Sequence, residues 1–290
     1  MIYDVTHVTR YDYAATVELT TGVMRLTPAS NAEQRLERFD LETDPPSVSP
    51  SERIDPFGNV VKSFRIEEPH RELTITASSR VLVRRPPIPA ISPPWELVAK
   101  DAMGADSLRP DSPALALYPS RRVSLFDDAT AFARRSFSGM RPIHEAALDL
   151  AYRIRRDFAY DPDATKVDTP AQEAFRHRRG VCQDFAHIMI AAVRGLGLPA
   201  LYVSGYIRTI PPPGKERLAG ADASHAWISI WCGAEMGWKD FDPTNAQAVQ
   251  DEHIVVAKGR DYSETSPIES LVLSSGRHTL DVEVDVVAIE

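Results

Sequence analysis

A chain of 290 residues is longer than one average domain and can bury a sizeable core, so two domains, or one with a large appendage, is the starting expectation. Its 43% hydrophobic and 26% charged residues are globular proportions and exclude a disordered or collagen-like chain. Lys and Arg number 33 against 41 Asp and Glu, and the net charge of −8 argues against nucleic acid or an anionic membrane as partner.

The two cysteines, Cys182 and Cys232, cannot build a disulfide framework, which points to a reduced compartment. The start Met1-Ile2-Tyr3-Asp4 lacks the basic and apolar regions of a signal peptide, and no run approaches a membrane span. The expectation is a soluble, cytoplasmic protein. The basic run Arg176-His177-Arg178-Arg179 reads as a solvated face.

Residues 1–88 alternate in period two, as in Tyr3-Asp4-Val5-Thr6-His7-Val8 and Leu73-Thr74-Ile75-Thr76-Ala77, with turn signals at Asp44-Pro45-Pro46 and Asp55-Pro56-Phe57-Gly58-Asn59. This pattern predicts a small β-sandwich. Residues 89–128 open on the end of a proline-rich stretch (Pro86, Pro87, Pro89, Pro93, Pro94) and read as a linker and connecting segment. In 129–290 the spacing predicts helices over Ala129–Phe137, Ile143–Phe158 and about Gly180–Gly195. Strands are then predicted at Leu201–Ile207, His225–Trp231, Trp238–Phe241, Ile254–Ala257 and Leu280–Ile289. Helices followed by an antiparallel sheet give an α+β core.

Cys182 falls at the first turn of the third predicted helix, where unpaired amides and the dipole favour a thiolate and can donate to an acyl oxyanion. A buried, inert cysteine is the plain alternative. An acyl-transfer cysteine also needs a histidine to protonate the leaving amine and a carboxylate to orient that histidine. His225 opens a predicted strand in Ser224-His225-Ala226-Trp227, and Asp242 closes another before Pro243. A two-residue Gly233-Ala234 turn would set His225 directly opposite Asp242, whereas a longer loop through Gly237 would shift the register by about three residues. Asp240 lies on the same face and is the rival acid.

Taken together, these segments resemble the transglutaminase-like superfamily, whose core is of the papain type. The resemblance rests on Arg179-Gly180-Val181-Cys182-Gln183-Asp184-Phe185-Ala186-His187, on Gly197-Leu198-Pro199-Ala200 with Tyr202-Val203-Ser204-Gly205-Tyr206, on His225-Ala226-Trp227, and on Trp238-Lys239-Asp240-Phe241-Asp242-Pro243-Thr244. Gly259-Arg260-Asp261-Tyr262 and Pro267 continue it, and the β-rich start resembles the N-terminal region of the bacterial branch. The resemblance implies an N-terminal β-sandwich before a papain-like, transglutaminase-like core, with Cys182 as nucleophile, His225 as base and Asp242 as orienting acid. It implies no calcium, no other cofactor and no metal. It implies a peptide, protein or other amide substrate, with hydrolysis ahead of amine transfer. An inactive binding module is the reading from another class, and the first domain is where a protein partner would be sought. One departure is Leu201, where relatives often carry arginine.

Gln183, Asp184, His187, Trp227 and Asp240 are expected to brace the site from behind or to contact substrate. A metal site built from Cys182, Asp184, His187 and His225 is a weaker reading, because structural zinc sites usually pair their ligands at short spacing. The irregular stretch from Arg208 to Ser224 borders the site and reads as either a lid or an insertion without function. Trp227, Trp231 and Trp238 read as core before cleft, and Cys232 as structural.

Overall fold

The computed structural model describes residues 1–87, 89, 91–107, 109–208, 223–274 and 276–289. The first six strands are β1 (Ile2–Val17), β2 (Leu19–Met24), β3 (Gln34–Asp44), β4 (Ser51–Ile54), β5 (Val60–Ile66) and β6 (His70–Val83). Alternate residues of β6 are buried from Leu73 to Val83, as period two demands of a half-covered strand. These strands pair in two sheets, in the orders β1-β6-β3 and β2-β5-β4.

Helices α1 (Trp95–Met103), α2 (Asp127–Arg134) and α3 (Ile143–Asp157) follow, then β7 (Ala159–Tyr160), α4 (Ala171–His177) and β8 (Arg179–Gly180). Helix α1 lies inside the segment read from sequence as a linker. Its first residue follows Pro94, a residue that blocks helix before it yet tolerates one after it.

Helix α5 (Cys182–Arg194) is the buried axis of the core. Every residue from Gln183 to Arg194 is buried, so Cys182, at the first position, is the one helical residue with partial exposure. The helix ends at Gly195, and Gly197 adopts φ +80, which glycine takes without strain. Against it lies a five-stranded sheet in the order β12-β11-β10-β9-β13, made of β9 (Ala200–Ile207), β10 (Ala223–Trp231), β11 (Trp238–Asp242), β12 (Gln247–Ala248) and β13 (His253–Gly259). Ala226, Ile228 and Ile230 of β10 share one core with Phe185, Ile188 and Ala192 of α5.

The last two strands depart from the sequence reading. Both β14 (Ile268–Leu273) and β15 (His278–Ala288) fall in the stretch assigned to the core, yet they complete the two amino-terminal sheets. Strand β15 pairs antiparallel with β1 from Tyr3↔Ala288 to Tyr13↔His278, and Val284 and Val286 bury with Tyr3, Val5, Val81 and Val83. Local periodicity reports that a segment is a strand and says nothing of its partner, which here lies at the other end of the chain. Among the described residues no helix is long and apolar enough to cross a membrane.

Candidate active site

The start of α5 is held by Asp184. Its buried carboxylate accepts from the Val181 amide at 2.8 Å and from the Thr165 hydroxyl at 2.6 Å, which satisfies an otherwise unpaired amide at the helix entrance. Burial raises the Asp184 pKa, and the two hydrogen bonds lower it in part. Gly180 is required beside it, because a Cβ there would stand 2.5 Å from an Asp184 oxygen. Cys182 is thereby fixed with its side chain at the open end of the helix.

Strand β10 carries His225 in register with Gly205 of β9, and β11 carries Asp242. The hairpin between them is longer than a two-residue turn: Trp231 pairs with Trp238, and the connection from Cys232 to Gly237 closes through glycines with φ +98 and +62. The Cys232 amide donates to the Gly237 carbonyl at 2.8 Å across that loop. Extending the register puts Trp227 opposite Asp242 and His225 on its diagonal, so the direct pairing expected of a short turn does not occur. The shift is even, and His225 therefore keeps the same face as Asp242.

His225 Nε2 donates to Asp242 Oδ2 at 2.8 Å, with His225 8% exposed and Asp242 fully buried. This leaves Nδ1 outside the bond to Asp242, and Cys182 is close enough to favour the charged ring. Burial by itself lowers the His225 pKa. Hydrogen bonds to Asp242 and Cys182 outweigh it and raise the value to about 10. Burial would raise Asp242, but the hydrogen bonds from His225 and His253 hold its carboxyl well below the usual range. The thiol is also felt by Tyr202, whose hydroxyl is pushed far up by burial first and by Cys182 next.

The remaining expected residues lie around this centre. Asp240 accepts from Trp227 Nε1 at 3.1 Å and from the Ser229 hydroxyl, and pairs with Lys258 at 3.2 Å. Its partners thus set it apart from His225, although it shares the face. Trp227 is fully buried, packs with Val203, Val249 and Val255, and lies beside the rings of both His225 and His253. The Gln183 amide donates to the Val167 carbonyl at 3.0 Å. His187, kept neutral by burial that lowers its pKa to about 4, accepts from the Tyr262 amide at 3.2 Å. Cys232 is buried and its thiol is pushed up to about 12. Of Arg208 to Ser224, residues 209–222 lie outside the described residues.

The sequence reading missed Asn245 and His253. Asn245 Nδ2 donates to Asp242 Oδ2 at 2.7 Å, and His253 Nε2 approaches the same oxygen at 3.1 Å. Asn245 could have been suspected, since Asp242-Pro243-Thr244-Asn245 is a turn sequence that folds back on its aspartate. Nothing local to His253 marks it.

His225, Asp242 and His253 are the one group among the described residues close enough to hold a metal ion, whereas Cys182, Asp184 and His187 form no such group. Ligand atoms of a tetrahedral zinc stand about 3.3 Å apart. The two Nε2 atoms lie 2.8 and 3.1 Å from Oδ2, and Asn245 donates to it too, so the oxygen is satisfied by hydrogen bonds. The donor set fits shared protons better than an ion.

A thiol at a helix entrance, an imidazole beside it and a carboxylate behind that imidazole sit within this fold, and the matched segments identify its kind. Residues 130–243 match the model of the transglutaminase-like superfamily, and residues 3–82 that of the bacterial transglutaminase-like N-terminal region. The chain belongs to the transglutaminase-like superfamily. It is 41% identical over 298 residues to an uncharacterised protein of Mycobacterium tuberculosis strain H37Rv, covering 99% of this chain and 93% of that one. It is 31% identical over 120 residues to a protein-glutamine gamma-glutamyltransferase of Pseudomonas aeruginosa, covering 39% of this chain and 18% of that protein. In fold it matches the structure of a "Putative Cysteine Protease" from Cytophaga hutchinsonii, with a TM-score of 0.78 at 20% identity over 100% of this chain and 91% of that one.

Proposed function

We propose that this transglutaminase-like protein is a cysteine-nucleophile enzyme that hydrolyses amide or peptide bonds through a thioacyl intermediate. The observation that carries this is the convergence of His225 on both Asp242 and the Cys182 thiol at the entrance of α5. The Cys182 thiolate attacks the carbonyl carbon, and amides of the first helical turn receive the oxyanion. His225 gives its proton to the departing amine, and the C–N bond breaks to leave a thioester. Water, deprotonated by the same imidazole, then attacks the thioester and releases a carboxylic acid and the thiol. Asp242 holds the Nε2–H of His225 throughout, so that the proton exchanged in each step is the one on Nδ1.

Supporting the class are the fold shared with a structure described as a "Putative Cysteine Protease" and the presence of Cys182, His225 and Asp242, in that order, within the matched segment. A second reading is transfer of the acyl group to an amine instead of water, favoured by the 120-residue similarity to a protein-glutamine gamma-glutamyltransferase. The two differ in the second half-reaction. Incubating the protein with a peptide library in ¹⁸O water, with and without a fluorescent primary amine, separates them by mass spectrometry. The proposal expects ¹⁸O-labelled carboxyl products whose rate of formation falls about a millionfold in Cys182→Ala. Amine-coupled products in excess of acids would replace hydrolysis with transfer, and products unchanged in Cys182→Ala would remove the nucleophile.

A further inference from the structure

Resting on the catalytic reading above, we infer that His253 is a positioning residue that holds the Asp242 carboxylate in line with His225 by donating an Nε2–H hydrogen bond to the same oxygen. Strand β9 lies between the strands that bear the two histidines. His225 is in register with Gly205, and His253 with Ile207, so both rings project from one face with centroids 6.0 Å apart. Gly205 makes this spacing workable, since a Cβ there would stand 2.1 Å from the Ile254 carbonyl and 2.5 Å from the Trp227 ring.

Asp242 receives five N–H groups: Oδ2 from His225, His253 and Asn245, and Oδ1 from the amides of Thr244 and Asn245. Four of these come from the two ends of the catalytic arrangement itself, that is, from His225 and from the turn that follows the acid. His253 reaches the carboxylate from β13, a strand that bears neither His225 nor Asp242, and so ties its direction to a third strand of the sheet. The ring is fully buried, and its Nδ1 has no hydrogen-bond partner among the described residues. A buried N–H without an acceptor is costlier here than a bare lone pair, and Nε2 faces a carboxylate, so the Nε2–H tautomer is the one this geometry favours.

The role is tested in the full chain. In protein carrying ¹⁵N-labelled histidine, His253 should show a protonated Nε2 and an unprotonated Nδ1; an unprotonated Nε2 overturns the inference without any variant. Cys182 alkylation by iodoacetamide at pH 6 should slow about tenfold in His253→Leu, the worth of one hydrogen bond to a charged group, and recover to within about twofold in His253→Gln, whose amide nitrogen occupies the Nε2 position. A role in packing alone predicts the reverse order, with leucine tolerated and glutamine harmful, and that result overturns the inference. His225→Ala serves as reference. Slow labelling in that variant with wild-type labelling in His253→Leu rejects the positioning role alone, whereas labelling unaffected by His225→Ala rejects the catalytic reading on which it rests.

Discussion

Asp242→Asn preserves the shape of the buried acid but places an NH₂ where Oδ2 now accepts from His225, His253 and Asn245. The ring must then flip its tautomer or turn away, and in either case Nδ1 no longer serves sulfur. Amide turnover should fall on the order of ten-thousandfold in this variant, with the protein still folded by circular dichroism. Asp240→Asn should behave differently, because that carboxylate ties Ser229, Trp227 and Lys258 together and has no bond to His225. At this scale the sequence was informative. Cys182 at the first position of a helix and Asp242 at the last of a strand stand where the spacing predicted, and the roles expected of these two and of His225 rest on the family resemblance. His253 could not be singled out, since a histidine that opens a buried strand carries no spacing cue, and its meaning depends on which strand becomes its neighbour.

Among elements, β9 and α5 set the tolerances. Gly205→Ala would drive a methyl group into the Ile254 carbonyl and the Trp227 indole, forcing β13 and β10 apart where His253 and His225 flank Asp242. Overpacking of this kind costs about 1–3 kcal/mol, and Gly205→Ala should lower the urea midpoint and turnover together. Arg194, at the other end of α5, is buried and donates to the carbonyls of Ala116, Ala200 and Arg260. Arg194→Ala should therefore destabilise the core by about 3 kcal/mol in urea unfolding, and Arg194→Lys should recover little, because a single ammonium cannot span three separate carbonyls. The helix itself was legible from its apolar spacing. The hairpin register was not, since whether the chain turns at Gly233-Ala234 or runs on to Gly237 depends on two positive-φ glycines that offer equivalent local turns.

For the molecule as a whole, the two sheets completed by β14 and β15 join the chain ends, and the join is sealed by buried polar groups as well as apolar ones. His7 of β1 bonds the Tyr206 hydroxyl of β9 at 2.9 Å and the Thr9 hydroxyl at 3.0 Å, linking the amino-terminal sheet to the core sheet. Burial lowers its pKa to about 4. A base depressed below its unfolded value of 6.5 stabilises the fold above that pH, and the contribution is lost as pH falls from about 6.5 to about 4. Over that window the stability of wild type should drop more steeply than that of His7→Gln, by about 1.4 kcal/mol per pH unit, in urea titrations at pH 7, 6, 5 and 4. The β-sandwich and the α+β core could each be read from periodicity, but the closure of the first by the last strands of the chain could not, because pairing across the full length leaves no local trace.

The account turns on whether Cys182 and His225 act as a pair. The most direct measurement is the pH dependence of Cys182 alkylation by iodoacetamide, followed by peptide mass spectrometry in wild type and in His225→Ala. With the His225 value raised to about 10, the imidazolium is present throughout the neutral range, and the account predicts fast labelling below pH 7 that slows sharply in the variant. Labelling as slow as that of a free thiol in both proteins would contradict it.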